Sequence, residues 1–196
     1  MRNQMFSQMN QAALSRLKDR DPREIARNAG IRYDEKAQVF HIPTMGMDVT
    51  VSYPHYHFTP ELPGWHCLVI LHYLDLADGF PLTGNEIPFG QMKTGMVRGG
   101  GIDQKCELAI QNLKNLDEDT LEKICMDIGG EPIDSNADAA YRILFLPNFP
   151  VFLKIWLPDE DFPASGRLFV DASADHYLTI EDAVTVAELL LEKLTL

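Results

Sequence analysis

The spacing of apolar and polar positions changes several times along this chain, and each change marks an element. Over residues 1–18, Met5, Met9, Ala12/Ala13 and Leu17 fall on one stripe at helical spacing in an otherwise polar segment. Asp21-Pro22 opens a second, short helix. Asp21 suits the N-cap and Pro22 the first helical position, where a missing N–H costs nothing; Gly30 suits the left-handed C-cap. From Val39 the period falls to two. Val39, His41 and Pro43 alternate with Phe40 and Ile42, then Met47, Val49 and Val51 alternate with Asp48, Thr50 and Ser52, which predicts a hairpin turning near Gly46.

Gly64 to Ala77 is apolar nearly all round. Trp65, Leu68, Val69, His72 and Leu76 share a face, and Ile70, Leu71 and Leu74 cover most of the rest, the pattern of a central buried helix. Pro81 to Gly101 is rich in glycine and proline and reads as a long irregular segment with a short strand near 87–89. Asp103–Asn115 and Glu118–Ile128 read as helices started by Asp103 and Asp117, the second stopped by Gly129-Gly130. Ala139–Leu146 and Val151–Leu157 form a strand pair turning at 147–150, and Gly166–Val170 is a further strand. Thr179 caps a last helix to Leu194, with Asp182 three residues on and a core face of Ile180, Val184, Ala187, Leu190, Leu191 and Leu194. Strands arranged as hairpins point to an α+β fold, an antiparallel sheet of about five strands packed with five or six helices. The 196 residues suit one domain, 1–196, with an N-terminal helical arm at about 1–30.

Charge narrows the partners. Asp and Glu number 29 against 17 Lys and Arg, a net charge of -12, and no basic cluster offsets it. Nucleic acid is therefore not an expected partner, since phosphate binding rests on Lys and Arg. The three cysteines, Cys67, Cys106 and Cys125, are scattered and never in a C-x-x-C pair, which argues against a disulfide framework or a thiolate metal site. No signal-like or membrane-spanning run is present, so a cytoplasmic protein is expected.

The candidate chemistry centres on a repeated tripeptide, His72-Tyr73-Leu74 and His176-Tyr177-Leu178. Histidine and tyrosine are costly to bury without partners, so two such pairs in apolar surroundings suggest one shared site. His176 stands between a strand end and a helix start, with Asp171 and Asp175 near enough in sequence to orient its ring. The bland alternative is a core histidine at 72 and turn and cap chemistry from Asp171, Ser173 and Asp175.

Weaker signals lie elsewhere. Asp171, Ser173, Asp175, Thr179 and Asp182 echo the spacing of a calcium loop, but His176 stands where the sharp turn wants glycine. His55 and His57 have H-x-H spacing without a third ligand nearby. Arg98-Gly99-Gly100-Gly101 before a helix lacks the Lys and Ser/Thr of a phosphate loop and reads as a linker or lid. No G-x-S-x-G elbow is present.

Three further stretches stand out: Leu71–Leu74 with Pro81-Leu82-Thr83-Gly84; Gly130-Glu131-Pro132 with Asp138–Arg142; and Phe162–Ser165 running through Phe169–Ser173 to His176-Tyr177-Leu178 and Glu181-Asp182. Together they resemble an uncharacterised family of mostly anaerobic bacteria and archaea, domain of unknown function 3786. In that family both His-Tyr-Leu segments recur, and some members carry an additional iron–sulfur domain like those beside corrinoid proteins. This chain lacks the cysteines for such a cluster. The resemblance implies metal or tetrapyrrole handling by association and carries no activity.

Three functional readings follow. The first is a ligand- or cofactor-binding accessory protein with a pocket around His72, Tyr73, Asp171, Asp175, His176 and Tyr177. His72 and His176 would be the metal ligands, haem or corrinoid the cofactor, and Tyr73 and Tyr177 its polar contacts. The second is an enzyme with His176 as base and Asp171 or Asp175 as its orienter. The third is a structural or protein-interaction module in which both His-Tyr pairs are satisfied core groups.

Overall fold

The computed structural model describes residues 2–113 and 118–194. The fold is α+β and built on two antiparallel sheets. Helices α1 (Arg2–Leu17) and α2 (Pro22–Ala29) lead into β1 (Arg32–Asp34), β2 (Val39–Thr44), β3 (Met47–Ser52) and β4 (Phe58–Thr59), which form the first sheet in that order. Helix α3 (Gly64–Leu76) follows, then β5 (Glu86–Pro88), a 3-10 turn at Phe89–Gln91, the one-turn α4 (Gly95–Arg98), α5 (Ile102–Gln111) and α6 (Glu118–Asp127). The chain continues through β6 (Gly130–Pro132), β7 (Ala139–Leu146), β8 (Phe149–Trp156) and β9 (Ser165–Asp171), then a second 3-10 turn at Ala174–His176 and α7 (Ile180–Leu194). The second sheet has the order β5-β9-β8-β7-β6.

The caps read from sequence are in place at α2: Asp21 accepts from the Arg23 N–H at 2.9 Å, and Gly30 adopts φ 65°. The predicted hairpin is β2–β3, with Phe40 opposite Val51 and Ile42 opposite Val49, all four buried. Three strands had no periodicity to announce them. β1, β4 and β6 span two or three residues each and exist because a longer neighbour offers them a ladder. They divide the strands between two sheets where one of about five strands was expected. The sheets touch where Met45 N–H at the β2–β3 turn donates to the Leu144 carbonyl at 3.0 Å. The close approach there is of bare backbone, since a Cβ on Gly129 would lie 2.5 Å from the Gly46 nitrogen.

Helix α3 is the central buried helix, against α1, α2 and α7. Leu68, Val69, Ile70, Leu71, Tyr73 and Leu74 are all buried. Leu76, placed with the buried face by its spacing, is 42% exposed because the helix reaches the surface at its last turn. Arg16 and Arg20 of the α1 end hold Asp75 there, Arg20 also reaching the Asp75 carbonyl at 2.7 Å. Helix α5 lies directly on β9, since a Cβ on Gly166 would meet Ile110 at 2.5 Å. That helix begins at Ile102 with Gly101 at its cap; Asp103 sits in the first turn and makes no cap bond. Asp117, the expected start of α6, lies outside the described residues. The segment expected to be irregular at 81–101 contains β5, a 3-10 turn and α4. Among the described residues no helix is long and apolar enough to cross a membrane.

Candidate functional site

The C-terminal end of α3 meets the segment joining β9 to α7, and there the two His-Tyr-Leu copies come together. The join starts at Asp171, the last residue of β9, which is buried. One carboxylate oxygen accepts from Thr83 N–H (3.0 Å), Thr83 Oγ1 (2.9 Å), Ser173 N–H (2.9 Å) and Ser173 Oγ (2.6 Å); the other accepts from Gly84 N–H (2.8 Å). Burial alone would push this carboxyl up, but the hydroxyl and amide donors outweigh it and hold Asp171 below the usual carboxylate value. Asp171 thereby pins the Pro81–Gly84 loop to the strand end.

Next to it the two copies exchange partners. His72 Nδ1 lies 2.6 Å from Asp182 Oδ1, and His176 Nδ1 lies 2.7 Å from Asp78 Oδ2. Asp78 is six residues after His72, and Asp182 is six after His176. The repeat is therefore His-Tyr-Leu-x-x-x-Asp, and each histidine takes the other copy's aspartate. Between the pairs the rings of Tyr73 and Tyr177 stack at 5.7 Å and 27°. Each tyrosine donates its hydroxyl to a backbone carbonyl, Tyr73 to Ala29 at 2.6 Å and Tyr177 to Phe80. The Tyr73 oxygen also accepts from Asn148 N–H at 3.0 Å. Burial raises the pKa of both phenols.

An ionised carboxylate can only accept, so each imidazole presents a proton from Nδ1, and its Nε2 is a lone pair whenever the ring is neutral. No protein partner for either Nε2 is present among the described residues. The copies differ in exposure: the His72 and Asp182 side chains are 13% and 8% exposed, those of His176 and Asp78 37% and 55%. Phe80 completes the open half. Its ring lies parallel to His176 at 3.9 Å, and its N–H donates to Asp78 at 2.9 Å. The hydrogen bond from His176 holds the Asp78 carboxyl below its usual value.

The predicted site residues thus divide. His72, Tyr73, His176 and Tyr177 meet in one cluster with Asp78 and Asp182. Tyr73 and Tyr177 are fully buried with their hydroxyls committed to backbone, which leaves the imidazole edges as the groups that can face a ligand. Asp171 and Asp175 do not orient His176, contrary to expectation. Asp171 is occupied by its five donors, and the exposed Asp175 accepts from Lys93 N–H at 2.9 and 3.1 Å. The orienting acid is Asp78, which lies 98 residues away in sequence.

The other motifs carry less. His55 and His57 are both exposed with ring centroids 6.1 Å apart. Among the described residues no group of three or more His, Cys, Asp or Glu is arranged to hold a metal ion. The glycines at 95 and 99 let α4 lie on the preceding turn, where a Cβ would meet the Phe89 carbonyl oxygen at 2.3 and 2.6 Å. Cys106 and Cys125 are buried thiols pushed up to about 12 by desolvation, and Cys67 is partly buried.

Residues 21–193 match a family described as Domain of unknown function (DUF3786). The chain belongs to this family. No curated protein and no solved structure matches it. All three stretches that carried the resemblance fall within the matched span, and two of them supply His72, Tyr73, His176, Tyr177 and Asp182 to this clasp of crossed His–Asp pairs.

Sequence reasoning missed three contributors. Asp78 and Phe80 lie just past the first His-Tyr-Leu copy, and the shared Asp six places on was the available signal for Asp78. The third is His66. It is 97% covered, with Nε2 2.8 Å from Thr44 Oγ1 and its ring 5.0 Å from Phe145. Desolvation, aided by the nearby Lys193 charge, pushes its pKa down to about 4, so the ring is neutral at pH 7. One more histidine on an apolar helix carried no signal of its own.

Proposed function

We propose that this chain is a cofactor- or ligand-binding accessory protein and that its ligand meets it at His176, on the open edge of the clasp. The observation that carries this reading is the His176 imidazole, held at Nδ1 by Asp78 (2.7 Å) and on one face by Phe80 (3.9 Å) while 37% of the side chain faces solvent. A carboxylate on one ring nitrogen fixes the tautomer and raises the basicity of the other, the usual support of a metal-ligating histidine. His72 is the second, more enclosed donor.

A metal centre built by the chain alone would need three or four protein ligands, and the described residues hold no such cluster. The donor set instead fits a cofactor that brings its own metal and needs one imidazole, as haem and corrinoids do. Phe80, stacked on His176, is 41% exposed, and Leu76 and Leu82 close to it in the chain are 42% and 41% exposed, apolar surface available to a macrocycle face. The free thiols are compatible with a reducing cytoplasm.

The test is optical. Titrating the protein with hemin, and separately with hydroxocobalamin, is expected to give a saturable change in the cofactor's absorption bands. That change is lost in His176→Ala and kept in His55→Ala. Superimposable spectra for wild type and His176→Ala would remove the assignment and leave the clasp a purely structural device.

A further inference from the structure

The other end of α3 offers a second site, independent of His176. A cavity of 260 Å³ opens there, walled by Met45, Leu62, Pro63 and Leu189, with His66 and the 36% exposed Met47 also lining it. It joins the β2–β3 turn, the start of α3 and the last turns of α7.

The protonation of His66 follows from its partner. Thr44 Oγ1 is buried and, among the described residues, its one hydrogen bond is to His66 Nε2. A buried hydroxyl that fails to donate loses a hydrogen bond's worth of stability, so Thr44 donates to Nε2 and the ring proton sits on Nδ1. Nδ1–H has no acceptor among the described residues. Yet no fully buried side-chain nitrogen or oxygen there lacks a partner. Nδ1 is therefore not sealed from solvent, and for a ring 97% covered the opening is the cavity it lines.

The structure thus assigns a small-molecule site with one hydrogen-bond donor at its inner end and apolar walls. We infer that it takes a compact, largely apolar molecule with a neutral acceptor such as a carbonyl oxygen. Size and charge narrow the class. Pockets for drug-sized ligands run to about 300–1,000 Å³, so 260 Å³ calls for something smaller. The charged groups at the lining are Glu61, Glu192 and Lys193, two acids against one base, which disfavours a free anion. A neutral His66 completes the match, since it donates without bringing charge into the cavity.

Acetophenone, a carbonyl on an apolar ring, and ethylbenzene, the same shape without the acceptor, are the probes. The His66 imidazole resonances are followed by NMR in the full chain. Acetophenone is expected to shift them saturably, and ethylbenzene to bind about tenfold more weakly, the worth of one neutral hydrogen bond. Met47→Trp, which fills the cavity from a partly exposed position, is expected to abolish the shift while leaving the His72 and His176 signals in place. No saturable shift at His66 overturns the site. Equal binding of the two probes overturns the acceptor class, and an unchanged response in Met47→Trp overturns the location. None of these outcomes bears on the hemin and cobalamin titrations, which read His176.

Discussion

The two His-Tyr-Leu-x-x-x-Asp copies contain the same chemistry and occupy different environments. In the first copy the tripeptide lies inside α3; in the second it spans a 3-10 turn and the approach to α7. His72 and Asp182 meet under cover, whereas His176 and Asp78 meet at the surface beside Phe80. Inside, a carboxylate must be fully occupied to be tolerated, and Asp182 is: it takes His72 on one oxygen and the Thr179 hydroxyl on the other. Outside, the same pair is cheap to make and cheap to break, and the imidazole keeps an edge open for something else. Identical residues are thus divided by burial into one pair held inside the fold and one pair at the surface, the one proposed above to meet a ligand.

The sharpest way to break that comparison is to remove each acid in turn. Asp182→Ala is expected to cost about 3 kcal/mol in urea unfolding, because a nearly buried imidazole N–H and the Thr179 cap lose their acceptor together. Asp78→Ala is expected to cost about 1 kcal/mol or less. Equal losses would mean that burial does not separate the two copies.

The tyrosines sharpen it at a smaller scale. Tyr73→Phe should cost about 2 kcal/mol, since one hydroxyl satisfies both the Ala29 carbonyl and the Asn148 N–H. Tyr177→Phe, with only the Phe80 carbonyl to abandon, should cost about 1 kcal/mol. A reversed order would place the stabilising half of the cluster on the second copy.

The smallest effect is in pH. His176 depresses the folded-state pKa of Asp78 below its ordinary value of 3.8. A depressed carboxyl contributes stability that is present above the unfolded value and lost as pH falls through the folded one. Asp78→Asn should therefore flatten the acid limb of a melting-temperature profile below about pH 4 relative to wild type. An unaltered limb would show that the exposed pair is not formed in solution.

Legibility in the sequence followed the range of the interaction. Helices α2 and α7 were readable because caps and 3.6-residue periodicity are local, and Thr179 with Asp182 does form the expected cap; α3 was readable from its length and its nearly all-round apolar surface. The β2–β3 hairpin was readable from two-residue alternation on both sides of a short turn, and β7–β8 from two apolar runs separated by a Pro-containing turn. Strands β1, β4 and β6 were not, being too short to carry a period. The repeated tripeptide marked residues that do pack together, but nearness in sequence favoured Asp171 and Asp175 for His176 where the structure has Asp78.

The sequence alone determined which segments become helices and hairpins, which face of each is apolar, and that two His-Tyr pairs would need partners. The tertiary structure alone decided who those partners are. His72 finds Asp182 across 110 residues and His176 finds Asp78 across 98. Secondary structure is set by neighbours within a turn or two, whereas a polar side chain's partner is set by which distant backbone packs against it. The same rule placed His66 against Thr44 and on the wall of a cavity, from a helix whose sequence read only as core.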